Sequence, residues 1–448
     1  MMINDKKKLQ RLKVALKEIP SLDVFESFSD RRKFSRDFFD YSPVLKEQLN
    51  SCLAEIVVRP KSIQAVVEVS LKCKKYRVPL TVRGSGTGNY GQCVPLHGGV
   101  VILMSSIRNI RKIDQASGHV TVETGCLMRD LEGELREQGR QLRLTPSTWR
   151  SATIGGFVAG GSGGIGSVRW GFLRDPGNLL GLEVVTVEDK PKIIQLDANS
   201  AEALNHAYGT NGIITSLTLA TTHSVEWQEV AIDCTEWSDA VSLLKNCAMA
   251  AVDIFLCSLL EKEIVKNMPQ WSGPPSGKHR LLMLVAPDAI DTIKRLASSA
   301  GAQFNHIGPE NINSGNGLRE LSWNHTTFHM RLSDPSWTYL QMLLPLSDLS
   351  TMDKLKEEFA GNLLWHLEVV RQFGSQRLAA LPLVRWENEK ALNVLIKRCK
   401  ELGALIFNPH VITVEDGGLG VIDSDQVEAK RRYDPEGLLN PGKLKGWL

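Results

Sequence analysis

The chain has 448 residues, of which 42% are hydrophobic and 23% are charged, and these proportions are typical of a globular protein with a sizeable core rather than a disordered or fibrous one. Its 53 Lys and Arg residues nearly balance its 50 Asp and Glu residues, so the charge gives no reason to expect a nucleic acid partner, which usually requires a concentrated basic surplus. The sequence contains no apolar run of about 18 residues that would predict a transmembrane helix, and no apolar segment after its basic start that would indicate a secretory signal.

Residues 1–50 are charged and polar, and they predict a helical lead-in. Leu9, Leu12, Leu16 and Ile19 recur at helical spacing in a lysine-rich segment. This pattern is typical of a surface helix that docks one face on the body of the protein, and it also fits a basic amphipathic helix that contacts an anionic membrane. Peripheral membrane contact therefore stays open at this point.

Short β-branched strands alternate with helices from residue 51 to residue 225. Strands are predicted at residues 56–60, 79–83, 100–104, 120–123, 182–187 and 213–219, and helices are predicted after the capping residue Ser62 and over residues 127–138. Such alternation predicts an α/β unit. Residues 226–405, which are rich in tryptophan, indicate a second α/β unit, and residues 406–448 regain turn character.

The eight cysteines include no pair at C-x-x-C spacing, so no metal site built from clustered cysteines is predicted. Eight cysteines are also few for a disulfide scaffold of this length, which favours a reducing compartment. We therefore expect a cytoplasmic protein.

A glycine-rich turn directly follows the strand at residues 79–83. Its sequence is Arg83-Gly84-Ser85-Gly86-Thr87-Gly88-Asn89. Successive backbone N–H groups in such a turn form a concavity that binds anions, although a tight turn between two strands would use the same glycines. The segment is neither a dinucleotide-binding fingerprint nor a P-loop, because no clear helix follows and the Lys-Ser/Thr pair is missing.

A second glycine-rich stretch covers residues 151–171, where Gly155, Gly156, Gly163 and Gly164 stand among further glycines. Each glycine in regular structure costs roughly 0.5–1 kcal/mol relative to alanine, so we expect the backbone to approach something closely here. A mobile surface loop is the alternative, but the interleaved apolar residues, such as Phe157 and Trp170, argue against it. An extended ligand lying across both loops explains both stretches.

Together these segments resemble the FAD-linked oxidases of the vanillyl-alcohol-oxidase/PCMH type, in the branch that contains the D-type subunit of glycolate oxidase and the D-lactate dehydrogenases. The resemblance is carried by residues 83–91, by residues 146–171 with the following 178–185, by Gly209-Thr210-Asn211-Gly212-Ile213-Ile214-Thr215, and by the tail from Asp434 to Lys443. It covers residues 50–225 strongly and residues 405–448 in part.

The resemblance implies an α+β fold, in which a two-part PCMH-type FAD-binding domain carries an inserted α/β cap. The implied boundaries are 1–50 for the lead-in, 51–225 for the FAD-binding domain, 226–405 for the cap and 406–448 for a segment that returns to the FAD-binding domain. The residues implied to bind FAD are Arg83, Gly84, Ser85, Gly86, Thr87, Gly88, Pro146, Ser147, Thr153, Ile154, Gly155, Gly156, Gly163, Gly164, Gly212 and Ile214. Family members with covalent FAD often use a histidine in the first loop, and residues 83–91 contain none. The expected cofactor is therefore non-covalent FAD, with Cys126 an unsupported candidate for a covalent link.

The chain departs from this branch on the substrate side. The metal-binding histidine segment of the 2-hydroxy-acid enzymes is not found, and Asp416 and Gly417 occupy the positions of the later Glu-His pair. No metal is therefore expected. The candidate catalytic residues are His325 and His329, which lie four residues apart and so share a face, Arg331 as a bidentate carboxylate ligand, and His410. The alternative is that both histidines are packed or surface residues, Arg331 is solvated and His410 is a turn residue. The histidine pair could also bind a metal, given a third ligand. His366, among leucines in a stretch predicted to be helical, is expected to be a core residue.

These inferences predict an FAD-dependent oxidoreductase that oxidises a small organic substrate, a 2-hydroxy acid or an alcohol, by hydride transfer to FAD. The expected partners are this small molecule and an unknown electron acceptor, which a protein partner could provide. An FAD-binding scaffold or regulatory subunit of a multi-protein complex, with reduced catalysis, is the alternative.

Overall fold

The computed structural model describes residues 3–161, 163–274 and 276–447, which form a mixed α+β fold as predicted. Four β-sheets are present in these residues. Two belong to the N-terminal half, and the other two belong to the segment from residue 228 to residue 407, which we call the cap. Among the helices of the described ranges, none is long and apolar enough to cross a membrane.

The first sheet has four strands in the order β1-β2-β4-β3. Its elements are α1 Ile3–Lys17, β1 Leu22–Phe25, α2 Phe28–Phe34, α3 Pro43–Leu49, β2 Ile56–Pro60, α4 Ile63–Tyr76, β3 Leu80–Arg83 and β4 Val100–Leu103. β2, β3 and β4 run parallel, whereas β1 pairs antiparallel with β2. Ser62 caps α4 as predicted, because its hydroxyl accepts a hydrogen bond from the Ala65 N–H at 3.1 Å.

The N-terminal segment is part of this first layer. Leu12 and Leu16 are fully buried and Ile19 is nearly so, and they join the core under α4 and the sheet. The apolar face of α1 therefore docks on the body of the protein, the first of the two alternatives. Residues 22–25 form β1 within a lead-in predicted to be helical, because β2 offers them an antiparallel partner.

The second sheet is antiparallel, with the order β5-β6-β10-β8-β9 and with β7 paired to β10. Its elements are β5 Ile110–Asp114, β6 His119–Glu123, α5 Met128–Glu137, β7 Arg140–Leu142, α6 Ile154–Gly160, α7 Ser167–Trp170, β8 Leu179–Val185, β9 Ile193–Asp197, α8 Ala198–Ala201 and β10 Ile213–His223. The apolar sides of α5 and α6 pack on this sheet, so the second glycine-rich stretch lies on a rigid base.

The cap contains an eight-stranded antiparallel sheet, in the order β14-β11-β13-β12-β18-β19-β16-β21, and a small sheet of β15, β20 and β17. Its elements are β11 Gln228–Cys234, α9 Trp237–Met249, β12 Ile254–Leu260, α10 Lys262–Val265, β13 His279–Val285, α11 Ile290–Ser299, β14 Gln303–Pro309, α12 His325–Ser333, β15 Trp337–Tyr339, β16 Gln341–Pro345, α13 Ser350–Glu358, β17 Leu363–Leu364, β18 His366–Gln372, β19 Ser375–Ala380, β20 Leu383–Arg385, α14 Glu389–Glu401 and β21 Leu405–Phe407. The prediction of a helix around His366 is wrong, since β12 and β19 flank β18 and bond its backbone. A short apolar run does not distinguish a buried strand from a helix. His366 is a buried core residue, as predicted.

After the cap, the chain returns to the first sheet through α15 Val414–Gly417 and α16 Ser424–Tyr433. The Leu80 N–H donates to the Leu438 carbonyl at 2.9 Å, and the Asn440 N–H donates to the Leu80 carbonyl at 2.8 Å. The tail thus extends the sheet beside β3, the strand that leads into the first glycine-rich turn.

A buried ion pair holds this tail in place. The Lys430 ammonium donates to Asp434 and to the Thr210 and Leu439 carbonyls, and the Asp434 carboxylate also accepts from the Leu438 and Leu439 N–H groups. Both side chains are essentially inaccessible to solvent.

We expect Asp434→Ala to lower the free energy of unfolding by about 3–5 kcal/mol, because it leaves the Lys430 charge buried without its partner. Urea denaturation followed by circular dichroism measures this change. The control is Glu428→Ala on the same helix, because the pair that Glu428 forms with Arg431 is exposed and such pairs contribute about 0–1 kcal/mol. Equal losses for the two variants would contradict the assignment.

Candidate functional site

A cavity of about 1070 Å³ lies between the glycine-rich loops and the cap. The loop side includes residues 84–90 and several residues of 146–163, and the cap side includes Trp323, Asn324, His325, Gln341 and Phe407. Pockets for small molecules usually measure about 300–1,000 Å³. This cavity therefore has room for a ligand larger than an ordinary metabolite, or for a cofactor and a substrate together.

The first glycine-rich turn folds tightly over the side chain of Arg83. The Arg83 guanidinium donates to the Ser85 carbonyl at 3.2 Å and to the Arg36 carbonyl. Gly86 has φ +72, and a Cβ there would lie 2.1 Å from the guanidinium. The position favours glycine because its φ lies in the left-handed region, which side chains disfavour.

The turn presents unused backbone donors to the cavity. Ser85, Gly86, Thr87 and Gly88 line the cavity, and their amide N–H groups donate no hydrogen bond to any residue of the described ranges. Consecutive free N–H groups in a turn form an anion-binding concavity. This arrangement is what the first glycine-rich sequence predicts.

The two glycine-rich loops touch each other. A Cβ on Gly84 would lie 2.1 Å from the Thr153 hydroxyl oxygen, and a Cβ on Gly155 would lie 1.6 Å from the Thr124 hydroxyl oxygen. Thr153 caps α6, since its hydroxyl accepts from the Gly156 N–H at 3.3 Å. The glycines are therefore needed for close approach of backbone segments, and both loops border one cavity.

Most of the residues predicted to bind the cofactor line this cavity. They are Gly84, Ser85, Gly86, Thr87, Gly88, Pro146, Ser147, Thr153, Gly155, Gly156, Gly163, Gly212 and Ile214. Three others lie behind its surface: Arg83 under the first turn, Ile154 in the core on which α6 packs, and Gly164 against the Thr145 carbonyl. Cys126, the candidate for a covalent link, is buried outside the cavity lining.

Positive charge reaches the cavity mainly from beneath its surface. Arg174 is the only Lys or Arg among the described lining residues, and it pairs with Asp423 at 3.0 Å and with Glu202 at 3.5 Å. Under the first turn, by contrast, the buried Lys443 ammonium donates to the Gly91 carbonyl. Burial lowers the pKa of Lys443 to about 8, so this group remains largely protonated at neutral pH.

On the cap side, a buried polar network fixes the beginning of α12. Trp323 has φ +49, and its N–H donates to Glu368 Oε1 at 2.9 Å. The same oxygen lies 2.9 Å from His366 Nε2, and His366 Nδ1 lies 2.8 Å from the Thr326 hydroxyl. Trp323 adopts a backbone conformation that is rare for bulky residues, and this network stabilises it.

His325 is the only one of the four predicted catalytic residues that lines the cavity. Its Nδ1 is buried and has no hydrogen-bond partner among the residues that the structure describes. Burial, with a smaller contribution from His329, lowers the pKa of His325 to about 4. The imidazole is therefore neutral at physiological pH, and its free nitrogen can accept a proton or a hydrogen bond.

The other three predicted catalytic side chains lie outside the cavity lining. His329 is one turn further along α12. The Arg331 guanidinium donates to the Pro335 and Trp337 carbonyls, at 3.0 and 2.5 Å, so it is already engaged with backbone. His410 is buried, with Nδ1 2.7 Å from the Ser42 hydroxyl and Nε2 2.8 Å from the Tyr339 carbonyl. The structure therefore brings neither a carboxylate-binding arginine nor a second histidine of this set to the cavity.

The sequence interpretation missed several polar residues that face the cavity. The Tyr90 hydroxyl donates to Gln341 Oε1 at 2.5 Å, which links the first glycine-rich turn to β16 of the cap. Asn324 Oδ1 is buried without a partner in the described part of the chain. Only Tyr90 carried a local signal, because it directly follows the glycine motif; Gln341 and Asn324 reach the cavity through the fold of the cap.

Comparisons with known proteins agree with this geometry. Residues 54–192 match a family model described as an FAD binding domain. The chain is 22% identical to glycolate oxidase subunit GlcD of Bacillus subtilis, over 88% of this chain and 89% of that protein. It is 27% identical to D-lactate dehydrogenase of Anaerostipes hadrus, over 49% of this chain and 47% of the other, and 28% identical to mitochondrial D-2-hydroxyglutarate dehydrogenase of Arabidopsis thaliana, over 43% and 35%.

Among solved structures, alkyldihydroxyacetonephosphate synthase superposes with a TM-score of 0.72 over 97% of this chain and 86% of the other, at 16% sequence identity. That likeness supports the fold. The cavity itself fits a dinucleotide flavin, because free amide N–H groups are available for a diphosphate and close glycine contacts leave the backbone accessible. The sequence match and the donors therefore indicate the same ligand.

We expect Gly84→Ala to weaken FAD binding by about tenfold or more, since the new Cβ would collide with Thr153 and separate the two loops. A tenfold loss corresponds to about 1.4 kcal/mol. Titration of the flavin-free protein with FAD measures the affinity. Gly133→Ala is the matched control, because nothing lies within 4 Å of a Cβ there and alanine favours helix α5. An unchanged FAD affinity in Gly84→Ala would contradict the proposed role of the loop contact.

Proposed function

We propose that this chain, which carries an FAD-binding domain of the PCMH type, is an oxidoreductase that oxidises a CH–OH group of a small organic substrate, with a 2-hydroxy acid as the first candidate. One observation carries the proposal. The glycine-rich loops that fit FAD line the same cavity as His325, whose Nδ1 is buried and has no partner in the described residues. A cofactor and a proton acceptor can therefore reach one substrate together.

Binding of FAD is proposed to be non-covalent. The N–H groups of residues 85–88 would hold the diphosphate, with Arg83 and Lys443 beneath the turn supplying positive charge. Other parts of the same cavity are lined by Gly155, Gly156, Gly212 and Ile214, which would contact the rest of the FAD molecule. When bound, FAD supplies a two-electron acceptor for the hydride of the substrate C–H bond.

A residue of the chain has to accept the proton of the substrate hydroxyl. Oxidation of a CH–OH group to a carbonyl breaks one C–H and one O–H bond, and the O–H proton needs a base. His325 Nδ1 is the proposed base, because the imidazole lines the cavity, is neutral, and leaves Nδ1 without a partner in the described residues. Tyr90 and Gln341, which are hydrogen bonded to each other across the cavity, are proposed to orient the polar end of the substrate.

The similar proteins support the substrate class. Their names specify glycolate, D-lactate and D-2-hydroxyglutarate, each of which carries the hydroxyl beside a carboxylate. The name of the Bacillus subtilis protein also calls it a subunit, and we propose that a partner protein reoxidises the flavin of this chain. The eight cysteines of this chain are all unpaired in the described residues, which supports the proposal of a cytoplasmic location.

The proposal is tested on the purified chain by its visible spectrum and by anaerobic addition of 2-hydroxy acids and alcohols. We expect a yellow protein that releases its flavin on denaturation and whose absorbance is bleached by at least one substrate. Flavin that stays with the denatured chain would contradict non-covalent binding. Bound flavin that no compound of either class bleaches would favour the scaffold or regulatory subunit instead.

The pH dependence of flavin reduction tests His325 as the base. A group with a pKa near 4 is protonated below that pH and cannot accept a proton. We therefore expect the anaerobic rate to fall as the pH drops towards 4 and to stay level between about pH 6 and 8, whereas an ordinary histidine would produce a rise near pH 6.5. Stopped-flow absorbance after a brief pH jump measures the rate.

Substitutions distinguish the proposed role of His325 from a role of His329. We expect His325→Asn to slow flavin reduction by about 10²–10⁴-fold, the usual contribution of a general base, and to abolish the fall near pH 4. FAD affinity should be unchanged, which excludes general unfolding as the cause. A larger loss in His329→Asn than in His325→Asn would move the role to His329 and overturn the assignment.

A further inference from the structure

We propose that the substrate carries an apolar side chain of about the size of an aromatic ring on its reacting carbon, and no more than one carboxylate. This inference rests on the proposed function and specifies its substrate. It follows from the side chains that surround His325 and from the distribution of charge in the cavity.

Aromatic rings flank the proposed base. Phe328 lies one turn after His325 on α12, and the two ring centroids are 6.4 Å apart. A Cβ on Gly163 would lie 2.4 Å from the Phe172 ring and 2.7 Å from the Trp323 ring. The Phe172 and Trp323 rings therefore come close to the second glycine-rich loop, and both line the cavity together with His325.

The remaining cap surface near these rings is also apolar. Leu343 and Leu381 belong to a buried cluster against which Phe172, Trp323 and Phe407 pack. We call the cavity-lining side chains Phe172, Trp323, Phe328, Leu343, Leu381 and Phe407 the apolar wall. A substrate with only hydrogen or a methyl group on its reacting carbon would leave this wall without a partner. One methylene in an apolar pocket changes specificity by about 10–200-fold.

The charged side chains of the cavity limit the number of carboxylates that the substrate can carry. Within the described lining, the single cation Arg174 is already paired with two carboxylates, and Arg331 donates to backbone carbonyls. A carboxylate would therefore have to rely on neutral donors such as the Gln341 amide. A second carboxylate would be desolvated without a counter-charge, which is costly. This argues against dicarboxylic hydroxy acids.

Two adjacent polar residues at the beginning of α12 line the cavity beside the apolar wall. They are Asn324 and His325, and Asn324 Oδ1 and His325 Nδ1 are buried and without a partner in the described residues. The cavity thus combines a few neutral polar side chains with an apolar wall for the rest of the molecule.

Three exposed apolar side chains also line the cavity. Phe373, Leu419 and Val421 are 73%, 58% and 70% exposed, respectively. They add apolar surface against which an apolar substrate can be buried.

The test compares four acids on the FAD-loaded enzyme under anaerobic conditions: mandelate as either enantiomer, lactate, glycolate and 2-hydroxyglutarate. Initial rates of flavin bleaching give the half-saturating concentration of each acid. We expect the preferred mandelate enantiomer to half-saturate at least about tenfold below lactate, with 2-hydroxyglutarate the weakest. Equal or better saturation by lactate, glycolate or 2-hydroxyglutarate would overturn the inference.

Two variants on α12 locate the effect. Phe328→Ala should reduce the preference for mandelate over lactate by about tenfold, because it removes a ring beside His325. The matched control is Leu332→Ala, which removes a 69% exposed side chain from the same helix outside the cavity lining and should leave the preference unchanged. A preference that survives in Phe328→Ala would contradict the assignment to this wall.

A binding measurement that needs no turnover separates this inference from the proposed function. Benzoate, benzamide and glutarate are titrated while the spectrum of the bound flavin is recorded. Tight binding of the two aromatic probes without bleaching by any acid would retain the apolar site and reject the oxidation. Bleaching by short acids without binding of the aromatic probes would retain the oxidation and reject the apolar site. Failure of both measurements would reject both proposals.

Discussion

The close approach of the two glycine-rich loops is the constraint on which the site depends. The backbone of Gly84 lies where any side chain would collide with Thr153, and the backbone of Gly155 lies against Thr124. These contacts aim the free amide groups of residues 85–88 into the cavity. The C-terminal tail secures the same turn, because Lys443 binds the Gly91 carbonyl and the Asn440 amide binds the Gln92 and Tyr208 carbonyls. Residues from both ends of the chain thus build one anion cradle.

This cradle has no Lys or Arg side chain among residues 84–90 of its lining, and the two cations behind it interact with the buried Asp37 carboxylate. Arg83 is folded under the turn, and Lys443 is buried behind it. A bound diphosphate would therefore contact the amide groups directly and lie farther from these two charged side chains. Such an arrangement suits a cofactor with a non-covalent attachment, because rigid backbone donors lose little conformational freedom on binding.

The parts of the structure that the sequence predicts depend on local interactions. The parts that it does not predict depend on contacts between residues that are distant in the sequence. The strand before Arg83 and both glycine-rich stretches were predictable, because turn conformation and close backbone approach restrict the local sequence to glycine. The position of His325 in the cavity lining, with His329, His410 and Arg331 outside it, was not, since the neighbouring residues Trp323 and Thr326 are hydrogen bonded to Glu368 and His366 of a distant strand. The strand at His366 was missed for the same reason: its partners β12 and β19 are remote in the sequence.

The beginning of α12 brings the proposed base and part of the apolar wall into one element. The Trp323 N–H donates to Glu368, and His325 and Phe328, which follow Trp323 in the sequence, both line the cavity. The burial that excludes water for an apolar substrate is the same burial that lowers the pKa of His325. Basicity and preference for apolar substrates are therefore physically coupled. A change that exposed His325 further to water would raise its pKa towards the ordinary value, because burial is the main cause of the shift.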